Sequence, residues 1–222
     1  DDTQRSRAIA LLSALLGNWG RKGGLYLSAG MKSAPYPLPP YPKSDKPQAD
    51  GSDGARYPFA DEGITTSIRD ATLSAKPYPI KGWFVYATNL IHAMPNQEET
   101  IRAIRALDLL VVVDVIPSEI AGWADVVLPE ATYLERYDDL NVETFREPFI
   151  ALRQPVVTPP ADQKPNWWIA RELALKLGLG AYYPWHDIEE YLDYRLKGAG
   201  LSLAELKQKG LVRGPQQPLY FE

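Results

Sequence analysis

Cysteine is absent from the 222 residues, which excludes disulfides, thiolate zinc, cysteine-ligated iron–sulfur clusters and cysteine nucleophiles from this chain. Histidine is scarce: His92 and His186 are the only two, so a histidine-rich metal site is excluded as well. Basic charge is not in excess. Lys plus Arg is 24 against 28 for Asp plus Glu, a net charge of −4. No stretch clusters Lys and Arg as a phosphate-binding face does, so nucleic acid is not an expected partner. Long apolar runs are missing too, the best being Leu109 to Val113, far short of the roughly 18 residues that span a bilayer. The chain opens Asp1-Asp2-Thr3 without Met or a basic-then-apolar leader, and reads as a processed product or an excised piece. Its length fits one large domain or two small ones.

Proline, by contrast, is abundant: 20 residues, roughly 9% against a usual 5%. Nine of them (35, 37, 39, 40, 42, 47, 58, 77 and 79) fall between residues 34 and 79. Proline removes a backbone donor and fixes φ, so this stretch is expected to be a long excursion, neither helix nor central strand. Tyr36, Tyr41, Tyr57 and Phe59 interleave with the prolines and argue for a loop laid against a surface. Ahead of it, the spacing of Ala8, Ile9, Leu11, Leu12, Leu15 and Leu16 predicts an amphipathic helix over residues 4–16, stopped at Gly17. Gly17, Gly20, Gly23 and Gly24 then supply either a terminator and turn or a backbone that approaches another group closely.

The clearest pattern runs from Lys81 to Pro129. Trp83 to Ala87 reads as a buried strand, Thr88 to Pro95 as a loop, and Asn96 to Leu107 as a helix whose Asn96 cap is matched by Glu99 three residues on. Leu109 to Val113 is a second strand, continuously apolar as in a parallel sheet covered on both faces. Asp114 to Trp123 is a loop with a helical turn, and Val126 to Leu128 a third strand. Strand, helix, strand, short helix, strand implies right-handed crossovers. The expected class is therefore α/β: a partial parallel-sheet, Rossmann-like domain with flanking helices and a long Pro-rich excursion. Residues 1–129 are expected to form its parallel-sheet part, and residues 130–222 a mixed extended and helical part. In the latter, helices are expected over Asn166 to Leu177, Asp187 to Lys197, and from a Ser202-to-Glu205 capping box to Gly210, with an irregular tail from Val212.

Ligands of open parallel sheets bind beyond the carboxyl ends of the strands, where loops diverge and helix N-termini point free amides outward. Two loops occupy that edge: Thr88 to Asn96 after the first strand, and Asp114 to Glu119 after the second. Asp114 ends the apolar run, so its carboxylate sits at the mouth of the sheet. There it can accept two parallel hydrogen bonds from the imino and amino groups of a guanine. Equally, Asp114 or Ser118 can simply cap the short helix that comes next. No glycine-rich phosphate loop is present, which weakens ordinary nicotinamide and NTP readings. Catalytic constellations are missing: Glu130, Glu135 and Asp138 are spaced irregularly and read as solvated surface. His92 reads as a ligand contact or a structural donor, and His186 as a helix cap. Trp167, Trp168, Tyr182, Tyr183 and Trp185 read as packing.

Several segments resemble a known family. Val111-Val112-Val113-Asp114-Val115-Ile116-Pro117-Ser118-Glu119, with Ala124-Asp125-Val126-Val127-Leu128-Pro129-Glu130-Ala131 and Leu134-Glu135-Arg136, is similar to a stretch shared by molybdopterin oxidoreductases of the dimethyl-sulfoxide reductase type. Leu16 to Arg21 resembles that family's Gly-Asn-x-Gly segment, Tyr86 to Asn89 its Gly-x-Asn-Pro loop, and Lys164 to Ile169 the entry to a late helix. Tyr133 to Asp138 and Pro148 to Val157 look most like the polysulfide and thiosulfate reductase catalytic subunits.

The resemblance implies a molybdenum-bis(molybdopterin guanine dinucleotide) cofactor, with the guanine of one pterin held by Asp114, Ser118, Thr88 and Asn89. It assigns no catalytic residue to this chain. It places an iron–sulfur cluster motif and the molybdenum ligand upstream and a small β-barrel downstream, making the chain an internal segment. Partners implied are the rest of the catalytic subunit, an iron–sulfur electron-transfer subunit and a membrane anchor, at a periplasmic or membrane-associated location. Formate, arsenate or nitrate are alternative substrates, and a stand-alone nucleotide-binding module is the alternative outside the family. Two departures stand out: Leu90 where the family usually has proline, and Ala87 where it often has glycine.

Overall fold

The computed structural model describes residues 3–25, 30–40, 45–51, 63–142, 144 and 147–215. The chain divides into two compact units interleaved in sequence, whereas the sequence reading draws a single boundary at Pro129. One comprises Leu38–Glu135 with Val157–Lys176, the other Asp1–Pro37, Arg136–Val156 and Leu177–Glu222.

The first of these holds the parallel sheet. Strand β1 (Gly82–Tyr86) pairs with β2 (Leu109–Asp114), and β2 with β3 (Val126–Pro129), in the order β1-β2-β3. Trp83 lies opposite Leu110, Val85 opposite Val112, and Val112 opposite Val127, so these side chains share one face. Onto that face pack Ile91 of helix α3 (Leu90–Ala93), Ala103 and Ile104 of α4 (Gln97–Arg105), and Ile120 of a 3₁₀ turn (Glu119–Trp123). Both crossovers thus lie on one side of the sheet. Burying this set is the main stabilising term of the unit, at about 1.5–3 kcal/mol for each large side chain.

The expectation of cover on both faces is met only in part. On the second face Val113 is buried, but Phe84 is 53% exposed and Val126 42% exposed, so the amino half stays open among the described residues. A continuous apolar run reports the composition of a strand and not the presence of its cover.

Helix α2 (Thr65–Ser74) lies inside the Pro-rich excursion, which was expected to contain none. Its reason is local: no proline occurs between Pro58 and Pro77, and Ile68 and Leu73 pack against the sheet core. Thr72 of this helix accepts the Trp83 indole N–H at 3.2 Å. The buried Arg69 guanidinium donates to the Pro95 carbonyl at 2.6 Å and to Asp70 at 2.8 Å, with Glu99 3.4 Å away. That last contact explains a partial result at α4. Asn96 accepts the Glu99 N–H at 3.3 Å as expected, but the Glu99 side chain turns to Arg69 and not back to the cap.

In the other unit, helix α1 (Thr3–Leu15) forms where predicted, yet Ile9, Leu11, Leu12, Leu15 and Leu16 are all exposed. Gly17 comes next with φ +64°, and Gly24 lies so close to the Asn18 carbonyl that a Cβ would meet it at 2.1 Å. The glycine-rich stretch is therefore the tight-turn alternative, closed by Leu25 N–H donating to Asn18 O at 2.8 Å. Tyr36 lies against a surface as expected, donating to the Tyr182 carbonyl and stacking on Trp185 at 5.6 Å. Tyr41, Tyr57 and Phe59 lie outside the described residues.

After α5 (Asn166–Lys176) in chain order come α6 (Ile188–Leu196) and α7 (Leu203–Lys209), which enclose Leu192, Leu196, Leu203 and Leu206 with Ile150 of β4 (Phe149–Ala151). The α6 cap is Asp187 and not His186: Asp187 accepts the Glu190 N–H at 2.9 Å, and Glu190 in return accepts the His186 N–H at 2.9 Å. The tail is not wholly irregular, since β5 (Leu211–Arg213) pairs antiparallel with β4. Three residues carry too little pattern to announce a strand whose partner lies some sixty positions away.

Candidate functional site

The carboxyl edge of the sheet is built by the loops that leave β1, β2 and β3. After β1, Ala87 adopts φ +52°, a left-handed conformation that disfavours any side chain, and this bend sends Thr88 and Asn89 away from the strand axis. After β2, Asp114 binds its own loop. One carboxylate oxygen accepts the Val115 N–H at 2.7 Å and the Ile116 N–H at 3.4 Å, and the other accepts the Ser118 hydroxyl at 2.8 Å. Of four lone-pair positions on a carboxylate, three are engaged and one is open. Neither residue therefore caps the 3₁₀ turn: Asp114 accepts from the amides of its own loop ahead of it, and Ser118 ties back to Asp114 and makes no side-chain cap.

Asn89 and Glu119 join the two loops. The Asn89 amide donates to a Glu119 oxygen at 3.2 Å, and His92 Nε2 meets that same oxygen. Because a carboxylate can only accept, the amide nitrogen of Asn89 must face Glu119 and its oxygen must face away. That oxygen is buried and accepts no hydrogen bond among the described residues. Thr88 lines a groove along β1 with Leu90, Thr65 and Ile68. The structure thus brings Asn89, Glu119 and His92 into one cluster and Asp114 and Ser118 into another, on adjacent strand ends.

Glu130, after β3, corrects the surface reading. It is 2% exposed and accepts the Tyr86 hydroxyl at 2.9 Å, and that hydroxyl accepts Asn166 Nδ2 at 2.9 Å. The Glu130 N–H donates to the Asp114 carbonyl at 3.0 Å, so the buried acid is stitched to the residue that ends β2. Glu135 accepts the Thr132 N–H at 2.7 Å, and Asp138 accepts from Arg136, so neither is plain solvated surface. Nothing in the spacing of these acids marks Glu130; only its place after an edge strand does. Among the described residues, no group of three or more acidic or histidine side chains could hold a metal ion, and no helix is long and apolar enough to cross a membrane.

A parallel sheet with both crossovers on one face defines the class as an α/β domain, with polar side chains gathered at its carboxyl edge. The sequence profile described as molybdopterin oxidoreductase matches residues 1–176, and the chain belongs to that family. The thiosulfate reductase molybdopterin-containing subunit PhsA of Salmonella typhimurium is 38% identical over 226 residues, covering 96% of this chain and 30% of that protein. Acetylene hydratase of Syntrophotalea acetylenica is 34% identical over 157 residues, covering 70% of this chain and 21% of that protein. Among solved structures, acetylene hydratase from Pelobacter acetylenicus matches with a TM-score of 0.60 at 31% identity, covering 68% of this chain and 20% of that one. The chain therefore spans less than a third of the length of these relatives.

Proposed function

We propose that the chain is part of the catalytic subunit of a molybdenum-bis(molybdopterin guanine dinucleotide) oxidoreductase. Its carboxyl edge binds the guanine end of one pterin dinucleotide. The observation that carries this is the buried, unpartnered Asn89 oxygen, beside a strand end where Asp114 keeps one lone-pair position open. Guanine presents an imino N–H and an exocyclic amino group side by side, so acceptors at a strand mouth suit it and donors would not. An unsatisfied buried acceptor costs about 1–3 kcal/mol, which a ligand donor would recover. Thr88 and Ser118 add hydroxyls on the same two loops, and Glu119 holds the Asn89 amide in the orientation that presents its oxygen.

When bound, the molybdenum supplies electron exchange with the substrate. The residues here position the nucleotide end and carry out no chemical step. Polysulfide or thiosulfate reduction is the leading activity, supported by the 38% identity to the thiosulfate reductase subunit over 96% of this chain. Electron-transfer and membrane-anchor subunits, an iron–sulfur cluster upstream and a periplasmic or membrane-associated location accompany this reading.

The test is Asp114→Ala in the full-length subunit, read as GMP released by acid hydrolysis per subunit. Losing a charged acceptor is expected to weaken nucleotide retention about tenfold or more. Unchanged GMP content in a folded variant overturns the guanine assignment.

A further inference from the structure

Asn89 opens helix α3, and its backbone behaves as an N-cap should: the Asn89 carbonyl accepts the His92 and Ala93 N–H groups at 3.0 and 2.9 Å. Its side chain does not. An asparagine in this position ordinarily turns its oxygen onto an amide of the first turn. Here no side-chain cap forms, and the amide nitrogen is drawn instead to the Glu119 carboxylate at 3.2 Å. The oxygen is left buried and without a partner among the described residues. The helix forgoes a cap, and Glu119 is the reason.

Glu119 is itself held in place. It is the first residue of the 3₁₀ turn after β2, and the oxygen that accepts the Asn89 amide also meets His92 Nε2. A carboxylate has no hydrogen to give, so His92 carries its hydrogen on Nε2 and Asn89 presents its NH2. An acceptor-only group, met from α3 and from its cap, leaves the Asn89 amide one orientation. The amide and its inverted form have nearly the same shape, so packing alone could not make that choice.

We infer that Glu119 is a positioning residue that sets the polarity of this edge: by accepting only, it makes Asn89 offer its oxygen to the ligand and so selects bases that bring N–H donors. This rests on the guanine reading and extends it from binding to the choice of base. Guanine brings an imino N–H and an amino group side by side, whereas cytosine turns a ring nitrogen and a carbonyl to the same edge. With the Asn89 amide inverted, cytosine would be favoured and guanine rejected, because two donors facing each other are both left unpaired.

The experiment uses the full-length, cofactor-loaded subunit and reads the rate at which nucleotide leaves on dialysis, identified as GMP after acid hydrolysis. The Glu119 side chain is 58% exposed, so its replacement is compatible with folding. Glu119→Lys offers a donor, takes the Asn89 oxygen for itself and leaves the NH2 to the ligand, so GMP should leave about tenfold faster. The sign is informative, since exchanging an anion for a cation near an anionic dinucleotide would by charge alone slow the loss. Glu119→Gln both accepts and donates, so Asn89 occupies two orientations, and halving the competent population speeds the loss only about twofold. Asn89→Asp sets a second carboxylate against Glu119 and should also release GMP quickly. Combined with Glu119→Lys it rebuilds a donor and acceptor pair with one oxygen left for the ligand, and the rate should return to within about threefold of the wild type. Wild-type kinetics in Glu119→Lys, equal acceleration in Glu119→Gln and Glu119→Lys, or no recovery in the double variant each overturns the inference and leaves the guanine reading standing. A wild-type subunit whose cofactor yields no GMP overturns both.

Discussion

The substitution Tyr86→Phe removes a single hydroxyl that serves two partners. That hydroxyl donates to Glu130 at 2.9 Å and accepts from Asn166 at 2.9 Å. The two losses are unequal. A hydrogen bond contributes about 0.5–1.5 kcal/mol net, whereas leaving a buried acceptor short of its donor costs about 1–3 kcal/mol. Tyr86 is 43% exposed, so water can replace the hydroxyl for Asn166, whereas Glu130 at 2% exposure loses a donor that bulk water does not readily replace. The expected destabilisation is therefore about 2 kcal/mol, nearly all of it from the Glu130 side. Denaturant unfolding of the full-length subunit, followed by tryptophan fluorescence, measures it as a shift in midpoint at constant slope. A cycle with Glu130→Leu and the double variant isolates the pair, with an expected coupling of roughly 1–2 kcal/mol. Additivity to within about 0.3 kcal/mol would refute the claim that Tyr86 satisfies the buried acid.

The geometry also sets three other outcomes. Ala87→Gly relieves the left-handed backbone at φ +52° and should stabilise the protein by about 1 kcal/mol, read as a raised thermal midpoint. Burial, then the charge and hydrogen bond of Asp139, push the Tyr191 phenol up to about 12, against a smaller lowering by Arg195. The folded state thus holds this proton more tightly than the unfolded one, so the associated stability is complete below pH 10 and is lost as pH rises from about 10 to about 12. Tyr191→Phe should remove that portion of the alkaline slope in unfolding titrations. Glu119→Ala frees the Asn89 amide and His92, so amide exchange over residues 88–95 should accelerate. Global stability should move by less than about 0.5 kcal/mol, because His92 and Glu119 are solvent-exposed.

The βαβαβ core was legible because its signals are local. Val111 to Asp114, the Asn96 cap and the turn before Val126 each announce an element within a few residues. Helix α2 was hidden by the prolines on either side of it, although the eighteen intervening residues contain none. The site was half legible. Asp114 and Ser118 could be placed at a strand mouth from the apolar run before them, but not the three hydrogen bonds that already occupy the carboxylate. Glu119 and Glu130 were passed over because a carboxylate looks the same in sequence whether it faces water or a tyrosine.

By itself, then, the sequence determined what depends on near neighbours along the chain: the periodicity of strands and helices, the caps at Asn96 and Ser202, and the family motifs that run in register. Only the tertiary structure decided what depends on distant partners. It buried Glu130 against Tyr86 forty-four positions away, set Asn89 on Glu119 thirty positions away, and paired β4 with β5. Burial and hydrogen bonding are properties of the assembled packing, so a residue acquires its environment, and with it its role, only when the chain has folded back on itself.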